Sequence, residues 1–305
     1  MKTNKIIIIA ALLGTTLVAC QKTEELKQPA DEQQGWKINV QVYKDADTKA
    51  MELSGSKLNT YWKKGEEVAV YFGGIKMGTL AVTTDDNVNP AELAGQVSKP
   101  AGLTTGSPIM LLFPGREDNQ WTYVGQDGSA PSATGNLASF DYASASFTVS
   151  TIDNVNNEIV LSGATSFTAE QSVYRFGFLV DGAGSAIAVK SILLTSNQGK
   201  LVRTRTYSGS NWVSNYGSLS MTATTTAPDG NLYSMAIRNE NTTNDDTFSF
   251  CVVGNSDNAL YEGTKVVPSA NLGNGKFLSA KTISVSQKSF APATSGSVSN
   301  VSDVL

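Results

Sequence analysis

Residues 36–43 read Trp36-Lys37-Ile38-Asn39-Val40-Gln41-Val42-Tyr43. Successive side chains of an extended chain point to opposite faces. Trp36, Ile38, Val40 and Val42 therefore share one face, and Lys37, Asn39 and Gln41 the other. This alternation predicts a strand with one buried side. Comparable runs recur at 67–72, 76–83, 108–113, 146–149, 158–162, 172–180, 186–195, 200–206, 232–237, 247–253 and 276–287. Turn-forming clusters separate them, among them Phe72-Gly73-Gly74, Asp127-Gly128, Asp181-Gly182 and Pro228-Asp229-Gly230. Many short strands divided by turns predict an all-β chain built as a sandwich or barrel. One stretch departs from this pattern: residues 90–97 (PAELAGQV) read as a short helix with Pro90 near its first turn.

The 305 residues leave room for one large or two ordinary domains. Residues 125–146 are rich in glycine, serine and alanine, and a second strong apolar set begins at Val173. This places a boundary near 165, with an N-terminal domain over 36–165 and a C-terminal domain over 166–305. Charged residues make up 16% and the net charge is −4, a balance unsuited to nucleic acid as a partner. There is no histidine, so Ser-His-Asp and Cys-His catalysis are excluded and the commonest metal ligand is missing. No nucleotide, zinc or dinucleotide fingerprint is present. The expectation is a protein that is not an enzyme, with no cofactor and no metal. Carboxylate-only chemistry is marked by no facing pair; Glu66 and Glu67 are adjacent and point to opposite faces. Asp85-Asp86-Asn87-Val88-Asn89 lacks the glycine and distal glutamate of a calcium loop and reads as a polar turn, as do Asp153, Asn154, Asn156 and Asn157.

At the amino terminus, Lys2 and Lys5 precede an apolar run from Ile6 to Leu13, and Leu17-Val18-Ala19-Cys20 follows. The last four residues resemble the lipobox of bacterial lipoproteins. That resemblance implies a signal peptide over 1–19 and a diacylglycerol on Cys20 that ties the chain to the outer membrane, where more than one acyl chain gives stable anchoring. Without Lys2 and Lys5 the chain holds 21 basic and 27 acidic residues, net −6. Gln21-Lys22-Thr23-Glu24-Glu25 is similar to the surface-export signal of Bacteroidetes lipoproteins. Residues 20–35 read as a flexible tether. Cys251 then has no partner, and its apolar surroundings (Phe248 to Val253) predict a small buried hydrophobe.

Three further segments carry a resemblance. They are Thr60-Tyr61-Trp62-Lys63-Lys64-Gly65-Glu66-Glu67-Val68-Ala69-Val70-Tyr71; Asp47-Thr48-Lys49-Ala50; and Tyr174-Arg175-Phe176-Gly177-Phe178-Leu179-Val180 followed by Val189 to Leu194. Together they resemble the fimbrillin superfamily of Bacteroidetes, the subunits of type V pili. The resemblance implies two transthyretin-like β-sandwich domains in tandem and transport to the surface as a lipoprotein. It also implies a trypsin-like cut, here between Lys49 and Ala50. The cut would release the tether with the first strand (Trp36, Ile38, Val40, Val42), and other pilus subunits would then supply a replacement strand. Burying those four side chains would contribute roughly 6–12 kcal/mol as an upper estimate, comparable to the stability of a domain.

One departure stands against the pattern: the family's best-known members are cut after arginine, and the first arginine here is Arg116. Lys49 is either the site of a lysine-cutting protease, flanked by Lys44 and Lys57, or a solvated loop lysine. In the second case the protein stays lipid-bound, like an anchor subunit. The tail, 283–305, is a candidate donor strand through Ile283 and Val285, or else simply a final strand. A rival reading is a glycan-binding surface lipoprotein, with Trp121 and Tyr123, or Trp212 and Tyr216, as sugar platforms. Exposed coplanar rings in a groove would favour it; buried rings would favour assembly.

Overall fold

A computed structural model of the chain describes residues 35–44, 52–54, 57–59, 61–128, 136–163, 166–223, 232–241 and 243–289. The described residues are all-β, with no α-helix among them and two short 3-10 turns, Asn136–Phe140 and Ser269–Asn271. The strands are β1 (Trp36–Lys44), β2 (Glu52–Ser54), β3 (Lys57–Asn59), β4 (Glu67–Phe72), β5 (Ile75–Val82), β6 (Ala91–Val97), β7 (Pro108–Phe113), β8 (Gln120–Thr122), β9 (Gln126–Asp127), β10 (Ala143–Asp153), β11 (Glu158–Gly163) and β12 (Ser166–Ala169). They continue as β13 (Ser172–Val180), β14 (Val189–Ser196), β15 (Val202–Ser208), β16 (Asn211–Tyr216), β17 (Leu219–Thr222), β18 (Tyr233–Ile237), β19 (Asp246–Gly254), β20 (Leu260–Val267) and β21 (Phe277–Gln287).

The first sheet runs β11-β1-β12-β10-β7-β4-β5-β6, and further pairings β11–β10 and β1–β6 close it on itself. Closure removes free edges, which are otherwise sites of unwanted pairing. Strand β1 is the closing stave. The enclosed core contains Ile38, Val42, Trp62, Val68, Val70, Leu80, Leu93, Leu111, Phe147 and Phe167 among its buried residues. The second sheet runs β18-β13-β21-β20-β19-β14-β17-β9 around a separate core that includes Phe176, Phe178, Ile192, Phe248, Phe250, Ile283 and Val285. A three-stranded sheet, β16-β15-β8, and a hairpin, β2-β3, complete the set.

Between β7 and β10, the described residues 120–128 and 136–142 contribute side chains to the second core. Trp121, Tyr123, Leu137, Phe140 and Tyr142 all belong to that core. Where β12 hands over to β13, Glu170 accepts from both Arg205 and Arg238, and Glu240 accepts from Arg238 at 3.1 Å. The hydroxyl of Tyr123 donates to the carbonyl of Glu170 at 3.0 Å. Glu170, Arg205 and Arg238 are buried and Glu240 is half-buried, so each buried charge depends on its partners for compensation.

Two expectations need correction. The stretch 90–97 is not a helix but strand β6, clamped between β1 and β5. Ala, Glu, Leu and Gln favour helices in isolation, but a neighbour on each side overrides that weak preference. Gly95 permits the close approach, since a Cβ there would lie 2.6 Å from the carbonyl oxygen of Thr79. Cys251 is half-buried rather than buried, because β19 alternates and turns Phe248, Phe250 and Val252 inward. Burial, and then the charge of Glu262, raise its thiol pKa.

Candidate functional site: the first strand and its groove

Strand β1 lies antiparallel to β6 over seven successive pairs, from Trp36↔Val97 to Val42↔Ala91. On its other side it is held at its ends, by β11 at Lys37↔Glu158 and by β12 at Tyr43↔Ser166 and Lys44↔Phe167. The middle of the strand thus has a ladder on one side. Ile38 and Val42 are buried, at 1% and 0% exposure. Trp36 and Val40 are half-buried and pack against the same core. The full burial expected of all four is therefore met by two. Val40 sits over the unflanked middle, and Trp36 opens the strand with the Lys99 ammonium 4.6 Å from its ring centre. Ile38 and Val42 together contribute about 3–6 kcal/mol of apolar burial.

The inward face continues one step further than the apolar residues do. Lys44 is 2% exposed. Its Nζ lies 4.4 Å from the centre of the Trp62 ring and 4.1 Å from that of Phe113. It also lies 3.4 Å from Asp141 Oδ2 and 3.6 Å from Glu66 Oε2. Trp62 packs edge-on against Phe113 at 5.4 Å and against Phe167 at 5.2 Å, which fixes the ring faces. Two rings and two carboxylates thus compensate one buried ammonium. Burial raises the Asp141 pKa; Lys44 pulls it down, and the charge of Glu66 pushes it up.

Asn89 fastens the backbone at the same point. Its Oδ1 accepts from the Lys44 N–H at 3.0 Å, and its Nδ2 donates to the Lys44 carbonyl at 2.9 Å. The segment that carried the family resemblance builds this corner. Trp62 supplies a ring, Gly65 takes the left-handed φ of +82° that the turn needs, and Glu66 supplies a carboxylate that also accepts from the Lys63 N–H at 3.0 Å.

Lys44, read from the sequence as a flanking lysine beside a cleavage point, is instead enclosed. A lysine suggests solvent, and the apolar pattern ends at Tyr43. The available signal was parity, since Lys44 falls on the same face as Ile38, Val40 and Val42. Lys57 opens strand β3 of the small hairpin. Cys20, Lys49 and Ala50 lie outside the described residues, as does the tail from 290 onward. The described part of the tail is in use: β21 pairs with β13, and Ile283 and Val285 are buried in the second core.

The aromatic pairs do not form open platforms. Trp121 and Tyr123 are buried. The Trp121 ring stacks on Tyr142 at 5.2 Å and meets the half-buried Trp212 at 4.4 Å. Tyr216 is exposed and donates to Glu240. In the Asp85–Asn89 turn, Asp86 accepts from the Lys64 N–H at 2.7 Å and Asn89 is the clamp on Lys44. Asp153 accepts from Val155 and Asn156 within its own turn.

No family model matches the chain, and no curated protein matches it. Among solved structures it is similar to a candidate cell adhesion protein from Bacteroides uniformis, at 15% identity and a TM-score of 0.42, covering 86% of this chain and 98% of that one. It is similar to a candidate cell adhesion protein from Bacteroides ovatus at 12% identity and a TM-score of 0.44, covering 84% and 96%. A shaft pilin from Lactobacillus rhamnosus GG aligns at 10% identity and a TM-score of 0.36, covering 84% and 100%.

Proposed function

We propose that this protein is a fimbrillin-like structural subunit of a surface fibre, tethered through a lipid on Cys20 until a cut after Lys49 frees its first strand. A strand from a neighbouring subunit then takes the place of β1. One observation carries this reading: β1 is the stave that closes the first sheet, and it is laddered along its length on one side only. Losing it would open the edge of β6 and an apolar groove, a state of poor stability that favours capture of another strand. The ring geometry supports assembly over glycan capture, since Trp121 and Tyr123 face the core.

The test is made in the producing cell with full-length variants. Cys20→Ala should move the protein out of the membrane fraction. Lys49→Gln should leave β1 attached and exclude the protein from isolated fibres. Fibres that contain the uncut Lys49→Gln chain, with residues 36–44 still in place, would contradict the proposal.

A further inference from the structure

The groove of β1 ends in a corner with a definite chemical preference. Its walls are the Trp62 and Phe113 rings and the Asp141 and Glu66 carboxylates, and its present occupant is the Lys44 ammonium. These wall residues lie outside β1, on the segment before β4, the end of β7 and the approach to β10. They stay with the acceptor when β1 leaves. Asn89 also stays, and it grips the backbone of whatever strand lies there, because both of its bonds are to main-chain atoms.

An emptied corner would hold two carboxylates 3.4 and 3.6 Å from the vacated cation position, with no counter-charge in that position. A neutral side chain filling it would leave them uncompensated, and an acidic one would add repulsion. An ammonium or guanidinium would restore both the ion pairs and the ring contacts.

We infer that this corner is a specificity site of the acceptor groove, selecting an incoming β-strand from another chain with apolar residues at alternate positions and a lysine or arginine on the same face at its end. The inference rests on the strand-replacement reading above. It also says which strands do not fit. In residues 283–305 of this chain the one cation is Lys288, and the positions two, four and six before it are Ser286, Ser284 and Thr282. Lys288 already pairs with Glu262 at 2.8 Å. Residues 283–305 therefore lack the pattern that the corner selects.

The test uses the full chain cut within residues 45–50, with all its fragments present, and fluorescent synthetic peptides of sequence 36–44. Four peptides are compared: the native one, Lys44→Arg, Lys44→Met and Lys44→Glu. Gel filtration reports the peptide retained at each concentration. The native and arginine peptides should be retained, the methionine peptide should bind on the order of thirtyfold more weakly, and the glutamate peptide should be excluded. An Asp141→Asn acceptor, checked for native far-UV circular dichroism, should narrow the gap between lysine and methionine. The peptide series on the native acceptor decides the matter if that variant does not fold. Equal retention of the lysine and methionine peptides would overturn cation selection and leave strand exchange standing. Failure of every peptide to enter, the native one included, would overturn strand exchange and the inference with it.

Discussion

Lys44 and Asp141 meet at 3.4 Å although 97 residues separate them in the chain, and this pair joins the end of the first strand to the segment that enters β10. Asp141 follows the 3-10 turn whose Leu137 and Phe140 sit in the second core. The anchor point of β1 is therefore tied to both halves of the fold. Replacing Lys44 with methionine keeps the volume but strands a buried carboxylate. The expected loss is about 3 kcal/mol, read as a lower urea midpoint with an unchanged slope. A midpoint within error of the parent would mean that the corner contributes no net stability.

The same pair sets a pH dependence. Asp141 has a folded pKa raised above its ordinary 3.8, with burial as the main cause and Lys44 opposing it. A carboxyl whose folded pKa lies above its unfolded value binds its proton more tightly in the folded state. Its contribution is thus most favourable in acid and declines as pH climbs from the unfolded to the folded value. Removing Lys44 pushes the folded value higher, with Glu66 adding to the shift. The stability gap between parent and Lys44→Met should therefore be widest at neutral pH and shrink in acid, as Asp141 takes up its proton. Urea melts at several pH values check this, and a gap that widened in acid would refute the assignment.

Enclosure of Lys44 also makes a proteolytic prediction. Trypsin acting on the native chain should leave the Lys44–Asp45 bond intact, while the same bond should be cut once the protein is unfolded in urea. Peptide mapping by mass spectrometry distinguishes the two. Rapid native cleavage at Lys44 would show that the strand end opens freely.

Gly95 offers a separate handle on the groove. A methyl group there meets the Thr79 carbonyl oxygen at 2.6 Å and Leu80 Cα at 3.1 Å, both backbone atoms that cannot rotate away. Gly95→Ala should force β5 and β6 apart and cost about 1–3 kcal/mol. Hydrogen exchange should localise the loss of protection to β1, β5 and β6. A global change with no local pattern would argue against β6 as the bed of the first strand.

The charge network at Glu170 is predicted to hold the two halves in one cooperative unit. Glu170→Gln leaves the Arg205 and Arg238 guanidiniums with Glu240 as the carboxylate that still pairs with both, while Arg238 keeps its bond to the residue-170 carbonyl. The expected cost is about 3–5 kcal/mol. Unfolding should then be followed by Trp62 in the first core and Trp121 in the second, using single-tryptophan variants. Coincident transitions in the parent that separate in Glu170→Gln would support the coupling role.

How much of this could be read from the sequence depends on where the physics is local. Strands β4, β7 and β13 carry apolar runs bounded by turns, are buried largely on both faces, and lie where those runs place them. Strand β6 reads as a helix in the sequence because its residues favour one, although Ala91, Leu93 and Val97 keep a period of two. No apolar run marks strand β20 in the sequence, because Glu262, Gly263 and Lys265 interrupt its pattern. The corner around Lys44 was invisible for a different reason. Trp62, Glu66, Asn89, Phe113 and Asp141 come together through sheet closure, and no spacing along the chain announces that. Only the parity of Lys44 with Val42 pointed inward.

The most direct test of the central claim is to cut the purified chain after Lys49 with limiting trypsin, follow residues 36–44 by mass spectrometry, and measure particle mass by light scattering after gel filtration. The account predicts that cut chains lose the first strand as they join into assemblies, and that chains retaining it stay monomeric. A chain that sheds residues 36–44 and remains a folded monomer, alone and when mixed with other subunits, would contradict it.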